Sequence, residues 1–88
     1  MSDMMIQPDS LRGAAEQFNQ AGKDLEGILK RLDETTNELK TQWEAASQQV
    51  FYKQYGELHQ YMEGMKILVG HISLEMQAMA ERFEKADR

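Results

Sequence analysis

The first half of the chain carries apolar residues at a spacing that is typical of a long amphipathic helix. A large apolar residue recurs every seven positions, and a second row of mostly smaller residues follows three positions after it. The two rows are Leu11, Phe18, Leu25, Leu32 and Leu39, and Ala14, Ala21, Ile28 and Thr35. Alternating steps of three and four place both rows on one helical face. With Pro8 suited to a first helical turn, the pattern predicts a helix over residues 8–40.

A second and more regular series fills the rest of the chain. Its members are separated by alternating steps of four and three residues without interruption. The series consists of Phe51, Tyr55, Leu58, Met62, Met65, Val69, Ile72, Met76, Met79, Phe83 and Ala86. We therefore expect a second helix over residues 46–86, after a turn at residues 41–45. Residues 1–7 and 87–88 are expected to be short tails outside the helices.

Two long helices joined by so short a connection have to fold back on each other. This predicts an all-α fold, an antiparallel two-helix hairpin. A lone hairpin leaves part of each apolar stripe uncovered, so we expect a dimer that forms a four-helix bundle. The residues expected in the core or at the dimer contact are Leu11, Phe18, Leu25, Ile28, Leu32, Leu39, Phe51, Leu58, Met62, Met65, Val69, Ile72 and Met76.

Composition and charge exclude several classes of protein. The chain has 88 residues, enough for one small domain, and no cysteine, which excludes disulfides and thiolate metal sites. Its net charge is −5 and it has no basic cluster, so nucleic acid is not an expected partner. No apolar run approaches the roughly 20 residues that span a bilayer, so stable membrane insertion is not expected. The N-terminal residues lack the basic and apolar parts of a cleaved signal peptide.

The polar residues do not indicate an enzyme or a cofactor site. His59 and His71 are far apart in the sequence and have no second histidine at metal-ligand spacing. Most of the methionines lie on the predicted core face, where they fill space rather than bind a metal. No grouping of nucleophile, base and acid, and no paired carboxylate, can be inferred from the pattern. We therefore expect no catalytic residue, no metal site and no cofactor.

The only break in the periodic pattern is the segment KTQWEAASQQVF, residues 40–51, which contains the single tryptophan, Trp43. Neither glycine nor proline marks a turn there. A large apolar ring at a helical turn can lie over the open end of the helix pair. We therefore interpret Trp43 as a residue that stabilises the turn by packing.

Further short motifs carry a resemblance to a known family. The turn reads Trp43, Glu44, Ala45, and Phe51 follows the tryptophan by eight positions; the tail carries Phe83 and Asp87, four residues apart. In these features, in the entry to the first helix at residues 6–9 and in the mid-chain turn, residues 6–88 resemble the WXG family of early-secreted-antigen-like substrates of bacterial type VII secretion. Two positions differ from the family pattern, since alanine replaces the motif glycine at Ala45 and phenylalanine replaces tyrosine at Phe83.

The resemblance implies a function. It implies a small non-enzymatic protein, cytoplasmic before export and then secreted, as a folded homodimer, without a cleaved signal peptide. It also implies recognition by the type VII secretion ATPase through the turn of Trp43, Glu44 and Ala45 and through an export signal at Phe83 and Asp87. Two alternatives stay open: an escort that pairs as a heterodimer with a larger secreted helical effector, and a cytoplasmic coiled-coil adaptor unrelated to export.

Overall fold

The chain forms two long helices that run antiparallel. The computed structural model describes residues 7–86, in which α1 is Pro8–Leu39 and α2 is Ala45–Ala86. The hairpin measures 65 × 18 × 18 Å, and residues 7–86 contain no strand. The predicted all-α helical hairpin is therefore confirmed. Residues 40–44 connect the helices, so α2 begins one residue before the expected position.

The start of α1 follows from local chemistry. Gln7 is extended, with φ −68° and ψ 139°, and its carbonyl oxygen accepts hydrogen bonds from the backbone N–H groups of Ser10 and Leu11 at 3.0 and 3.2 Å. Pro8 occupies the first helical position, where a missing N–H leaves no hydrogen bond unmade. Asp9 lies in the first turn, where a negative charge stabilises the helix dipole.

The contact between the helices, here called the seam, uses smaller side chains than the sequence pattern suggests. Among residues 7–86, those that are buried in the hairpin are Leu11, Ala15, Leu29, Thr36, Ser73 and Ala80. Only Leu11 belongs to the set expected in the core. Most of the others lie in heptad rows adjacent to the predicted ones, so each helix is rotated to turn a row of smaller residues toward its partner helix.

Close approach of the helices explains this rotation. A methyl group at Gly22 would lie 3.5 Å from Cγ2 of Val69 and 3.9 Å from the carbonyl oxygen of Lys66, so α2 passes directly over this glycine. Such a contact needs small residues at the seam, since larger ones would hold the helices apart. The larger apolar rows are then displaced toward one side of the hairpin.

Candidate functional site

An apolar surface runs along one side of the hairpin. On α2, Met65 and Leu68 are 52% and 58% exposed, and Leu58 and Tyr61 are exposed beside them. On α1, the adjacent row of Ala14, Ala21 and Ile28 is half-buried. Because the two helices are antiparallel and both right-handed, these rows lie on the same side of the seam. We call this surface, formed by Ala14, Ala21, Ile28, Leu58, Tyr61, Met65 and Leu68, the front face.

The expected core residues divide between the seam and its flanks. Leu11 is buried, Leu58 and Met65 are exposed on the front face, and the other ten are half-buried. These ten are Phe18, Leu25, Ile28, Leu32, Leu39, Phe51, Met62, Val69, Ile72 and Met76. One hairpin therefore covers the predicted stripe only in part.

The turn is closed by a side chain that the sequence reading did not single out. The amide of Gln48 donates hydrogen bonds to the carbonyl oxygens of Lys40 and Trp43, the latter at 3.1 Å. Two backbone hydrogen bonds, each 3.0 Å, complete the turn. Gln42 N–H donates to the Leu39 carbonyl oxygen, and Gln48 N–H donates to the Glu44 carbonyl oxygen. Carbonyls released at the end of α1 thus find partners without a glycine.

Trp43 packs onto the first turns of α2. Its ring meets Phe51 edge to face, with 4.6 Å between centroids, and lines a shallow groove with Ala46, Ser47, Val50, Phe51 and Gln54. The indole is half-buried, whereas Val50 beside it is 63% exposed. Packing by Trp43 and hydrogen bonding by Gln48 therefore both stabilise the turn. The sequence predicted only the packing.

The backbone conformation at Ala45 shows why this turn forms without the motif glycine. Ala45 is the first residue of α2, and no residue within the range 7–86, glycines included, has a positive φ. The turn therefore needs no left-handed conformation at this position, and alanine fits without strain. Glu44, the middle residue of the motif, is exposed and lies just before the helix.

Polar side chains bridge the helices near the turn. The hydroxyl of Tyr55 donates a hydrogen bond to Oδ1 of Asp33, and His59 Nε2 lies 3.5 Å from Oδ2 of the same carboxylate. The hydroxyl of Tyr52 donates to the Thr36 carbonyl at 3.0 Å. Burial and the bond to Asp33 raise the pKa of Tyr55 to about 12. This end of the seam is held by directional bonds as well as by apolar contact.

The opposite end of the hairpin carries the aromatic residue of the tail motif. Phe83 is 37% exposed, and next to it Glu84 accepts two hydrogen bonds from the Arg12 guanidinium, at 2.6 and 2.9 Å. These bonds raise the pKa of Arg12 and connect the start of α1 to the end of α2. Asp87, the second residue of the expected export signal, lies outside the described residues, so the geometry of the pair stays a prediction.

Residues 7–86 contain no cluster of three or more histidines and carboxylates that could hold a metal ion. Over the same range, neither helix combines the length and the hydropathy needed to cross a bilayer.

Comparison with protein families decides what kind of hairpin this is. The family model described as WXG100, proteins of 100 residues with WXG, matches residues 3–88. The chain belongs to the WXG100 family. The family resemblance inferred from the turn and tail is therefore confirmed over nearly the whole chain.

Relatives within WXG100 agree in length and shape. Protein YukE of Bacillus subtilis strain 168 is 26% identical over 83 residues, which cover 94% of this chain and 86% of YukE. The crystal structure of EsxA from Geobacillus thermodenitrificans is 31% identical, with a TM-score of 0.87 over 96% of this chain and 91% of EsxA. A structure of EsxB from Bacillus anthracis strain Sterne, described as a secreted protein, is 26% identical, with a TM-score of 0.90 over 97% and 96% of the two chains.

Proposed function

We propose that this WXG100 protein is a substrate of bacterial type VII secretion that is exported as a folded homodimer. Family membership and the likeness to EsxB, which is described as a secreted protein, support export. The observation that carries the dimer is the front face, where Met65 and Leu68 are more than half exposed in the single hairpin. Contiguous exposed apolar surface of this kind marks a protein interface.

A second copy of the chain fits the front face, because in a two-fold symmetric dimer the same surface of each chain contacts that of the other. Face-to-face packing would cover Leu58, Met65 and Leu68 with the equivalent residues of the other hairpin and complete a four-helix bundle. Ala14 and Ala21 on α1 have short side chains, so they leave room for the larger side chains of α2 from the other hairpin. Burying these side chains stabilises the dimer by about 25 cal/mol for each Å² of apolar surface that is removed from water.

Recognition by the secretion ATPase would use the two ends of the hairpin. Trp43 keeps part of its ring exposed beside Val50, which offers an apolar contact at the turn. Phe83 is part-exposed at the other end, four residues before Asp87, so a helix that continues to Asp87 would place ring and carboxylate on one face. Such a pair is a small directional surface for a motor protein.

Export is tested with the untagged protein in its native host. Intact protein should accumulate in the culture supernatant and be lost from it when the secretion ATPase is deleted. Protein that stays in the cells under conditions that activate the system would contradict the proposal and favour the adaptor alternative.

The tail signal is tested by separating its two residues. Asp87→Ala removes the carboxylate at the end of the chain, so it should leave the melting temperature unchanged while folded dimer accumulates in the cells. Phe83→Ala should reduce export and stability together, because the ring also belongs to the apolar series of α2. Secretion of Asp87→Ala at the level of the unaltered protein would remove this residue from the signal.

Mass in solution separates self-pairing from the escort alternative. Sedimentation of the purified chain should give twice the monomer mass of 10.2 kDa. An aggregated or unfolded chain that becomes soluble only with a second hairpin or a larger helical effector would favour the escort.

A further inference from the structure

The last turns of α2 lie beyond the buried part of the seam. Ala80 is buried, whereas residues 81–86 are all exposed, so no buried side chain within this range holds α2 against α1. The carbonyl oxygens of a last helical turn also lack partners within the helix, so helix ends fray unless another contact orders them. We call residues 81–86 the end segment. It carries Phe83, the aromatic residue of the proposed export signal.

Arg12 connects the end segment to the first turns of α1. Its guanidinium donates two hydrogen bonds to the carboxylate of Glu84, at 2.6 and 2.9 Å, so the contact is bidentate. A planar guanidinium against a planar carboxylate fixes the orientation of both groups, which a single hydrogen bond does not. Glu84 lies one turn after the buried Ala80, so this pair extends the contact between the helices beyond the seam.

Arg12 also balances negative charges on both helices. Its guanidinium lies 3.6 Å from the carboxylate of Asp9, and the negative charge of Glu81 acts on it as well. Without this cation, the carboxylate of Asp9 on α1 would face those of Glu81 and Glu84 on α2. Carboxylates at such close range repel each other, so loss of Arg12 would push the end segment away from α1.

The other cations of the end segment do not replace Arg12. The guanidinium of Arg82 lies 3.6 Å from Glu75, two turns earlier on α2. Lys85 is exposed and follows Glu84 directly, so it lies about 100° further around the helix. Within residues 7–86, Arg12 is therefore the basic residue that joins α1 to the end segment.

The pair leaves Phe83 accessible. Phe83 and Glu84 are neighbours in the sequence, so their side chains leave the helix about 100° apart. The hydrogen bonds to Arg12 therefore fix the rotation of the end segment without covering the aromatic ring, which stays part-exposed.

We propose that the pair of Arg12 and Glu84 positions the end segment for recognition during export. This role rests on the proposed function, because it requires that the secretion machinery contacts α2 around Phe83. A partner that binds an ordered helical end binds a frayed one more weakly, in proportion to the fraction of chains that are ordered. Since Arg12 belongs to α1, the end segment is fully ordered only in a chain whose two helices are packed together. Arg12 is thus a positioning residue that makes recognition depend on the folded hairpin.

The test uses the untagged full chain in its native host and the same chain in purified form. Arg12→Gln and Glu84→Gln each remove one charge of the pair. The double variant Arg12→Glu with Glu84→Arg restores a pair of opposite charges with their places exchanged. Arg31→Gln is the matched control, because Arg31 is an exposed arginine of α1 far from the end segment. Asp87→Ala is the reference for the proposed signal.

Export is measured as the ratio of protein in the culture supernatant to protein in the cells. Amide hydrogen exchange of residues 81–86 reports the order of the end segment in each purified variant. Sedimentation and thermal unfolding report the dimer and the stability of the whole hairpin.

We expect both single variants to be exported about two- to fivefold less, which is the range that an exposed ion pair of good geometry contributes. Exchange of residues 81–86 should accelerate by a similar factor. The exchanged pair should restore export and slow exchange, and Arg31→Gln should change neither. The mass should stay that of the unaltered protein in all variants and the melting temperature should change little, because the seam is untouched.

Several outcomes would overturn the proposal. Loss of export in Glu84→Gln alone would mean that the partner binds this carboxylate directly, and loss in Arg12→Gln alone would mean the same for the guanidinium. Loss in both single variants without recovery in the exchanged pair would show that their contact is not the cause. Unchanged hydrogen exchange of residues 81–86 in Arg12→Gln would show that the pair does not order the end segment.

Asp87→Ala separates failure of this role from failure of the proposed signal. Normal export of Arg12→Gln and Glu84→Gln, with Asp87→Ala retained in the cells, would mean that the signal works without the pair. Normal export of all three would contradict the tail signal itself, and the positioning role with it.

Discussion

The hydroxyl of Ser73 on α2 donates a hydrogen bond of 2.8 Å to the backbone carbonyl oxygen of Ala15 on α1, and both residues are buried. A buried hydroxyl in the seam needs such a partner, because a buried polar group without one costs free energy. The acceptor is a helical carbonyl with a second lone pair. One small side chain thus satisfies its polarity and lets the helices approach.

Substitution of Ser73 separates these two roles. Ser73→Ala should lower the free energy of unfolding by about 1–2 kcal/mol, because it removes the hydrogen bond to Ala15 and a second one, of 3.3 Å, that the hydroxyl accepts from the Gln77 amide. Ser73→Leu should cost about 1–3 kcal/mol by overpacking. Both are measured by urea unfolding at fixed protein concentration, with the exposed Ser47→Ala as control. Equal stability of Ser73→Leu and the unaltered protein would show that the seam is loose.

Gln48 should determine the stability of the turn. Gln48→Ala removes two side-chain hydrogen bonds to carbonyls at the end of α1 and in the turn. The expected loss is about 1–2 kcal/mol in the free energy of unfolding. The neighbouring exposed Gln49 offers a matched control, since Gln49→Ala should change stability by less than about 0.5 kcal/mol. Similar effects of the two substitutions would mean that Trp43 alone holds the turn.

Restoring the motif glycine should not help folding. Ala45 begins α2 with no positive φ, so Ala45→Gly gains no conformational relief and adds freedom to the unfolded chain. We expect a change between zero and a loss of about 1 kcal/mol in thermal unfolding. A clear rise in melting temperature would indicate strain at this position.

The front face is tested by two substitutions only two residues apart. Met65→Asp places a charge in the proposed dimer contact and should abolish the dimer, at a cost of several kcal/mol, with loss of helical circular dichroism. Ile67→Asp, at a residue of similar exposure on the side of α2 that faces away from α1, should leave the dimer intact. Sedimentation equilibrium gives both masses. A well-folded monomer from Met65→Asp would mean that one hairpin is stable by itself.

Alkaline pH should weaken the turn end of the seam through Tyr55. Its pKa of about 12 in the folded chain lies above the ordinary tyrosine value of about 10, so folding favours the protonated phenol. This contribution is fully present below pH 10 and is lost as the pH rises through about 12. The stability advantage over Tyr55→Phe, measured by denaturant unfolding, should therefore shrink between pH 10 and 12.

The helical hairpin was predictable because it depends on spacing alone. Uninterrupted seven-residue rows of apolar residues specify two long helices whatever their rotation, and the short connection specifies their direction. The rotation itself was not predictable from hydrophobicity. Ala15, Ser73 and Ala80 carry little apolar signal, yet their small size decides which rows meet.

The turn shows a second limit of the sequence. Trp43 was visible as a break in the pattern, and its edge-to-face contact with Phe51 agrees with the role inferred for it. The role of Gln48 was not predictable from the sequence, because nothing there distinguishes it from the other polar residues at the start of α2. Its function depends on reaching back to the carbonyl oxygens of Lys40 and Trp43, which only the folded turn brings near.

Side-chain volume along the seam fixes how far one helix can slide on the other. Gly22 lies under Val69, and Thr36 lies beside Tyr52 at the other end. A slip of one heptad would bring Leu29 under Val69 in one direction and against Tyr52 in the other, and both arrangements are overcrowded. Alignment of the helices is thus encoded in the order of small and large side chains along the seam, so changes to the surface ion pairs should not shift the register of the hairpin.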